Sequence, residues 1–187
     1  MQPPPSSDDE IAQAWVGEPV RLDGPVTIAE PDPSWADMYW RENARIRRAL
    51  ADQAVIVEHV GSTSVPGLAA KPIIDIVLAV TDSSDEASYV PALEAEGYVL
   101  VIREKCWFQH RVFKGPDIDV NLHVFSAGTA EIDRMIAFRD HLRASDADRR
   151  LYENAKRSLA SQEWMFVQNY ADAKTQVITE IMQRTSQ

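Results

Sequence analysis

Apolar positions change their period several times along this chain. Trp35, Met38, Tyr39, Ile46 and Leu50 recur at helical spacing and predict an amphipathic helix over residues 34–51. Pro31-Asp32-Pro33-Ser34 precedes it, with Ser34 as the expected N-cap and Asp37 in the position of a capping-box acid. Ahead of that helix, Val20-Arg21-Leu22 and Val26-Thr27-Ile28 alternate like short strands around the turn signal Asp23-Gly24. The β-branched runs 55–60 and 73–80 predict two further strands. The second is apolar on both faces except for Asp75, as a central strand would be. A helix is expected over 84–96, closed by Gly97, then strands at 98–103, 107–113 and 118–125, the last two separated by Gly115-Pro116-Asp117.

From Thr129 onward the spacing is helical. Ile132, Met135, Ile136 and Leu142 form one stripe, Leu151, Ala155 and Leu159 a second, and Val167, Tyr170, Ala171, Val177, Ile178 and Ile181 a third. The pattern predicts an α+β fold: a mixed, largely antiparallel sheet with crossing helices and a C-terminal group of about three helices. Residues 1–18, acidic and proline-rich, read as a flexible N-terminal arm, and 19–187 as a single domain whose helical part is 128–187.

Composition narrows the chemistry. Hydrophobic residues make up 45% and charged residues 26% of 187, the balance of a folded globular chain. The single cysteine, Cys106, excludes an internal disulfide framework and thiolate-rich zinc sites. No apolar run approaches the roughly 20 residues that cross a bilayer, and the N-terminus lacks the basic start of a signal peptide. A cytoplasmic protein without a membrane partner is the expectation. With 29 acidic against 19 basic residues the net charge is −10, so long nucleic acid is not an expected partner. A small phosphorylated ligand, held by a few groups, is allowed.

Candidate chemistry begins where the strand ending at Val60 meets Gly61-Ser62-Thr63-Ser64. Glycine lets backbone approach a ligand, successive amides can form an anion nest, and the hydroxyls add donors. Asp75 then interrupts an apolar strand, where a carboxylate needs a cation or a metal. Its alternatives are a metal or ligand role, or a buried ion pair with Lys71, Arg103 or Arg111. Lys71 suits a phosphate or Asp75 equally, and His59 stands beside the loop. Asp117, Asp119, Asn121 and His123 share one strand face by two-residue periodicity, so Asp119 or His123 could join Asp75 on a metal. Lys174 lies within an apolar stripe and is expected to turn its amine into a cleft. Lys156, four residues after Tyr152, repeats the Tyr170–Lys174 spacing and is expected to snorkel to solvent.

Gly61-Ser62 followed by Asp75 on a buried strand resembles the nucleotidyltransferase superfamily typified by DNA polymerase β. There Gly-Ser opens a short helix that binds triphosphate, and Asp-x-Asp on the next strand holds divalent metal. Here Val77 stands where the second acid would fall. The longer run Glu58-His59-Val60-Gly61-Ser62-Thr63-Ser64-Val65-Pro66-Gly67-Leu68-Ala69-Ala70-Lys71-Pro72-Ile73-Ile74-Asp75-Ile76 resembles the GrpB family. So do Asp32-Pro33-Ser34-Trp35, Asn121-Leu122-His123-Val124, Phe138-Arg139-Asp140-His141-Leu142-Arg143, Tyr152…Lys156 and Tyr170…Lys174. GrpB-type domains also occur joined to dephospho-CoA kinases. The resemblance implies a nucleotidyltransferase-like fold, a nucleoside triphosphate or other phosphorylated ligand, and divalent metal, magnesium or manganese. Asp75, Asp119 and His123 would then be the metal candidates, with Asp75, His123 and Lys174 at the reacting centre. His59, Gly61, Ser62, Thr63, Lys71, Arg111 and Lys156 would contact the ligand. Either metal-assisted nucleotidyl or phosphoryl transfer, or a binding module that has lost the metal pair, is compatible with these residues.

Overall fold

The computed structural model describes residues 12–17, 25–162, 164 and 167–185. Helix α1 (Ser34–Leu50) forms because Trp35, Tyr39, Ile46 and Leu50 make one buried stripe. Its start differs from expectation: Pro33 takes the N-cap position, and Asp32 Oδ1 accepts from the Ser34 amide at 2.8 Å. Asp32 thus satisfies a first-turn amide from outside the helix, so Ser34 lies inside it and no Ser34–Asp37 box is needed.

The strands are β1 (Ile56–Val60), β2 (Ile74–Val80), β3 (Val99–Glu104), β4 (His110–Lys114) and β5 (Val120–Ser126). They form one sheet in the order β1-β2-β5-β4-β3, with β2 and β5 parallel and every other pair antiparallel. β4 starts three residues later than the spacing suggests, because Phe108 and Gln109 adopt positive φ in the connection from β3. The helix expected over 84–96 is reduced to a 3-10 turn, Glu86–Ser88, and α2 (Val90–Ala95), with Pro91 at its first turn. The segment 20–22 lies outside the described residues. Residues 26–28 are extended without joining the sheet, and only Ala29 bridges to Ala70. Within the N-terminal stretch, Trp15 pairs with Ile102 and the Val16 amide donates to Val101 at 2.8 Å, so these residues dock on β3.

The C-terminal helices are α3 (Ala130–Ala144), α4 (Asp146–Ala160), α5 (Val167–Ala173) and α6 (Thr175–Thr185). The expected third helix is split at Lys174, where the Lys174 amide bonds Ala171 in a tightened turn. Among the described residues no helix is long and apolar enough to cross a membrane.

Cross-strand register decides what each face carries. Val60, Asp75, Asn121 and Lys114 form one row across β1, β2, β5 and β4, with Glu58, Val77, His123 and Val112 in the next. That face meets α3 through Val60, Val77, Ala79, Phe125 and Ile132. The opposite face carries Val57, Leu78, Val124 and Arg111, then His59, Ile76, Leu122 and Phe113, and packs on α1 and α2.

Candidate functional site

The turn after β1 is shaped by one glycine. Gly61 has φ +67° and ψ −173°, a conformation that side chains with a Cβ avoid. A Cβ there would also stand 2.3 Å from Asp75 Oδ2. Glycine is therefore required twice, and its presence lets the loop backbone rest against the Asp75 carboxylate. The three hydroxyls that follow are not equivalent. Thr63 donates to the Ile73 carbonyl (2.9 Å) and accepts from His59 Nε2 (3.1 Å), while Ser64 donates to the Gly61 carbonyl (2.6 Å). Both hold the turn together and are buried. Ser62, half-buried, stands outside that network and is hydrogen-bonded to the Tyr152 hydroxyl instead.

Asp75 is paired neither with Lys71 nor with an arginine. The Asn121 amide donates to its Oδ1 at 2.8 Å, and His123 Nε2 lies 3.8 Å from the same oxygen. Burial by itself would raise this carboxyl. The hydrogen bond and charge of His123, the Asn121 amide and the nearby Lys174 outweigh it and hold Asp75 below the usual range. The Asn121 side-chain oxygen accepts from Lys114 Nζ at 2.8 Å, and Lys114 also binds Asp119 at 3.1 Å. Asp119 thus turns to Lys114 at a half-exposed position, and the expected trio of Asp75, Asp119 and His123 does not converge. Among the described residues no three His, Cys, Asp or Glu side chains gather as metal ligands.

A chain of hydrogen bonds fixes His123. His110 Nδ1 lies 2.6 Å from Glu104 Oε2, and His110 Nε2 lies 3.1 Å from His123 Nδ1. A carboxylate accepts, so Nδ1 of His110 carries the proton. Burial pushes His110 down to about 4, leaving it neutral with a lone pair on Nε2. His123 Nδ1 must then donate to it, which leaves Nε2 as the ring nitrogen that faces Asp75. His123 also stands across from Val77, so it approaches Asp75 from the neighbouring strand, beside the position that lacks an acid.

Lysines surround this pair. The Lys71 amine is pushed down by burial and by the charges of Lys114 and Lys174, with Asp119 and Asp75 opposing. Lys156, expected to snorkel, is instead 2% exposed: its amine donates to the Ala69 carbonyl at 2.5 Å and sits 4.9 Å from the Tyr152 ring centre. Burial, with Lys174 second, brings it to about 7. Lys174, expected to be the inward one, is half-buried at the α5–α6 junction, 4.8 Å from the Tyr170 ring centre. The break between α5 and α6 leaves Lys174 at the rim with its charge felt by Asp75, while α4 packing on the 65–70 loop draws Lys156 fully inside.

Two candidates lie elsewhere. Arg111 is buried on the α1 face and bonds Glu86 Oε1 at 2.6 Å, beside Arg103 at 2.8 Å, because its cross-strand partner Val124 faces α1. His59 also faces α1, stacked on Tyr39 at 4.7 Å, and reaches the loop only through Thr63. Lys114, Tyr152, Glu104 and His110 were not selected from sequence. The two-residue phase of β4 offered a signal for Lys114 and His110, once the register against β5 is known.

A family profile described as GrpB protein matches residues 25–184. The chain belongs to the GrpB family. It is 58% identical over 182 residues to a UPF0157 protein of Halalkalibacterium halodurans, covering 97% of this chain and 93% of that one. A UPF0157 protein of Streptomyces coelicolor is 47% identical, covering 90% and 88%. The crystal structure of conserved protein GrpB from Enterococcus faecalis superposes with a TM-score of 0.73 at 28% identity, covering 86% of this chain and all (100%) of that one. A dephospho-CoA kinase of Mycolicibacterium paratuberculosis is 39% identical over 77 residues, which is 40% of this chain but 19% of that protein. The α+β GrpB fold is thus shared along nearly the whole chain, whereas the kinase similarity covers a minority of both.

Proposed function

We propose that this GrpB protein binds a phosphorylated small molecule, of the nucleotide or coenzyme-precursor class, between the Gly61 turn and a ring of lysines, with Asp75 and His123 at its reacting end. One observation carries the reading. The chain has five lysines and a net charge of −10, yet Lys71, Lys114, Lys156 and Lys174 all gather around Asp75. These four amines outnumber Asp75, Asp119 and Glu153, and an anion placed among them relieves their mutual repulsion. Ser62 and the loop amides add donors, and the dephospho-CoA kinase similarity agrees with a nucleotide or coenzyme ligand.

Calorimetric titration with nucleoside triphosphates and coenzyme-A precursors tests this. Saturable binding that weakens in Ser62→Ala is expected. If it survives Ser62→Ala and Lys71→Met unchanged, the ligand is elsewhere.

A second reading, metal-assisted nucleotidyl or phosphoryl transfer, is favoured by His123 Nε2 standing 3.8 Å from Asp75 Oδ1. One nitrogen and one oxygen donor, completed by ligand oxygens, fit manganese better than magnesium. Repeating the titration with each metal, and following the triphosphate for products, separates transfer from binding alone.

A further inference from the structure

A second cleft, of about 680 Å³, runs along the outer edge of β1, between α1 and α3 and against residues 63–67 of the loop. Neither Asp75 nor any lysine lines it, so it is distinct from the lysine-ringed site. Its volume falls in the range of small-molecule pockets.

The edge strand beside it is closed to an added peptide strand. The Val57 carbonyl accepts from Tyr39 Oη (3.0 Å) and Asn43 Nδ2 (3.3 Å), and the His59 carbonyl from Arg139 Nη1 (2.9 Å). The Ser64 carbonyl takes Arg143 Nε (3.1 Å) and Nη2 (2.8 Å). Strand addition needs those acceptors, so the occupant is a small molecule.

Two features give its chemistry. Trp40 is 63% exposed although its helix neighbours Trp35 and Tyr39 are buried, and its ring leans on Tyr39 at 5.0 Å. An aromatic face left open beside a cleft is a stacking platform. At the other wall Arg139 and Arg143 lie one turn apart on α3. Arg139 is buried and committed to Glu58 and Asp140, while the Arg143 side chain remains 41% exposed. The charge of Arg139 depresses the Arg143 guanidinium after burial does, so an anion placed there relieves a like-charge contact. Arg47 is a third cation among the lining residues, where the acids number two, Asp32 and Glu58.

We propose that the β1-edge cleft is a second ligand site for a planar aromatic anion, its ring stacked on Trp40 and its carboxylate or phosphate held by Arg143. This assignment is independent of the phosphate reading at the lysines. The test titrates the full chain with 4-hydroxybenzoate and, separately, adenosine 5′-monophosphate, following tryptophan indole N–H resonances by NMR and assigning Trp40 with Trp40→Phe. The Trp40 resonance should shift saturably with at least one probe, and that binding should weaken roughly tenfold in Trp40→Ala and in Arg143→Gln. The carboxylate arm should be unaffected by Lys174→Met. Preference between the probes tells carboxylate from phosphate. No saturable shift with either probe, or parent-like binding by Trp40→Ala, overturns the site. So does binding lost in Lys174→Met but kept in Trp40→Ala. If Arg143→Gln lowers the melting temperature by freeing the Ser64 carbonyl, Trp40→Ala, at an exposed position, decides alone.

Discussion

Toward α1 and α2 the sheet presents Val57, Ile76, Leu78, Leu122 and Phe113, which join Ile46, Leu50, Tyr89 and Leu93 in one continuous apolar interior. Toward α3–α6 the same strands present Asp75, Asn121, His123 and Lys114, and the apolar contacts break into separate clusters around Phe125 and around Leu68. Charge is buried on both sides, but differently. On the α1 side Arg111 and Arg103 share Glu86, and Glu42 meets the Tyr98 hydroxyl, so each group finds an internal partner. On the other side lysines outnumber the carboxylates between them. One face pairs its charges internally; the other gathers more amines than carboxylates, which is the basis of the anion site proposed above.

Leu122→Ala tests the closed face most severely. A buried leucine in a central strand should cost about 2–5 kcal/mol on truncation, read from denaturant or thermal unfolding. A loss under about 1 kcal/mol would mean that this interior is not the main source of stability.

His59, buried on the same face, gives a pH signature. Burial, with Arg143 and Arg139, carries it from 6.5 down to about 4. The unfolded chain therefore takes a proton below about pH 6.5 that the folded protein refuses until about pH 4. His59 contributes stability above pH 6.5 and loses it as pH falls to 4, on the order of 3 kcal/mol in total. His59→Gln should flatten that part of the stability curve; an unchanged slope would assign acid sensitivity to other groups.

On the open face, Lys174→Met should leave the melting temperature nearly unchanged while weakening binding of a phosphorylated ligand by roughly 1.5–3 kcal/mol. A variant that unfolds, or binds like the parent, makes the lysine scaffold. The smallest effect is a proton count. Lys156 rests at about 7, and an anion nearby favours its charged form, so ligand binding at about that pH should take up a fraction of a proton. Calorimetry in buffers of different ionisation enthalpy measures it, and Lys156→Met should abolish it.

The strand segments and the common face of Asp119, Asn121 and His123 were legible because both rest on two-residue periodicity, which fixes which side chains share a face. The partners of Asp75 were not. Asn121 and His123 reach it through β2–β5 register, which no local pattern encodes. The enclosure of Lys156 was missed for a similar reason: a helix stripe gives direction, but the 65–70 loop against α4 decides which amine is enclosed. Arg111 and His59 are separated from the Asp75 row by parity alone, each lying on the α1 face.

The parallel pairing of β2 with β5 carries a consequence for how the chain is made. Asp75 meets Asn121 across 46 residues, and Lys156 meets Ala69 across 87. During synthesis β1, β2 and α1 emerge together and can associate at once, whereas Asp75 must wait for the β3–β4 hairpin and β5. The lysines of α4 and the α5–α6 junction arrive later still. A chain cut before residue 146 would contain β1–β5 but neither Lys156 nor Lys174. The proposed anion site would therefore be completed only by the last part of the chain to be made, after most of the interior is in place.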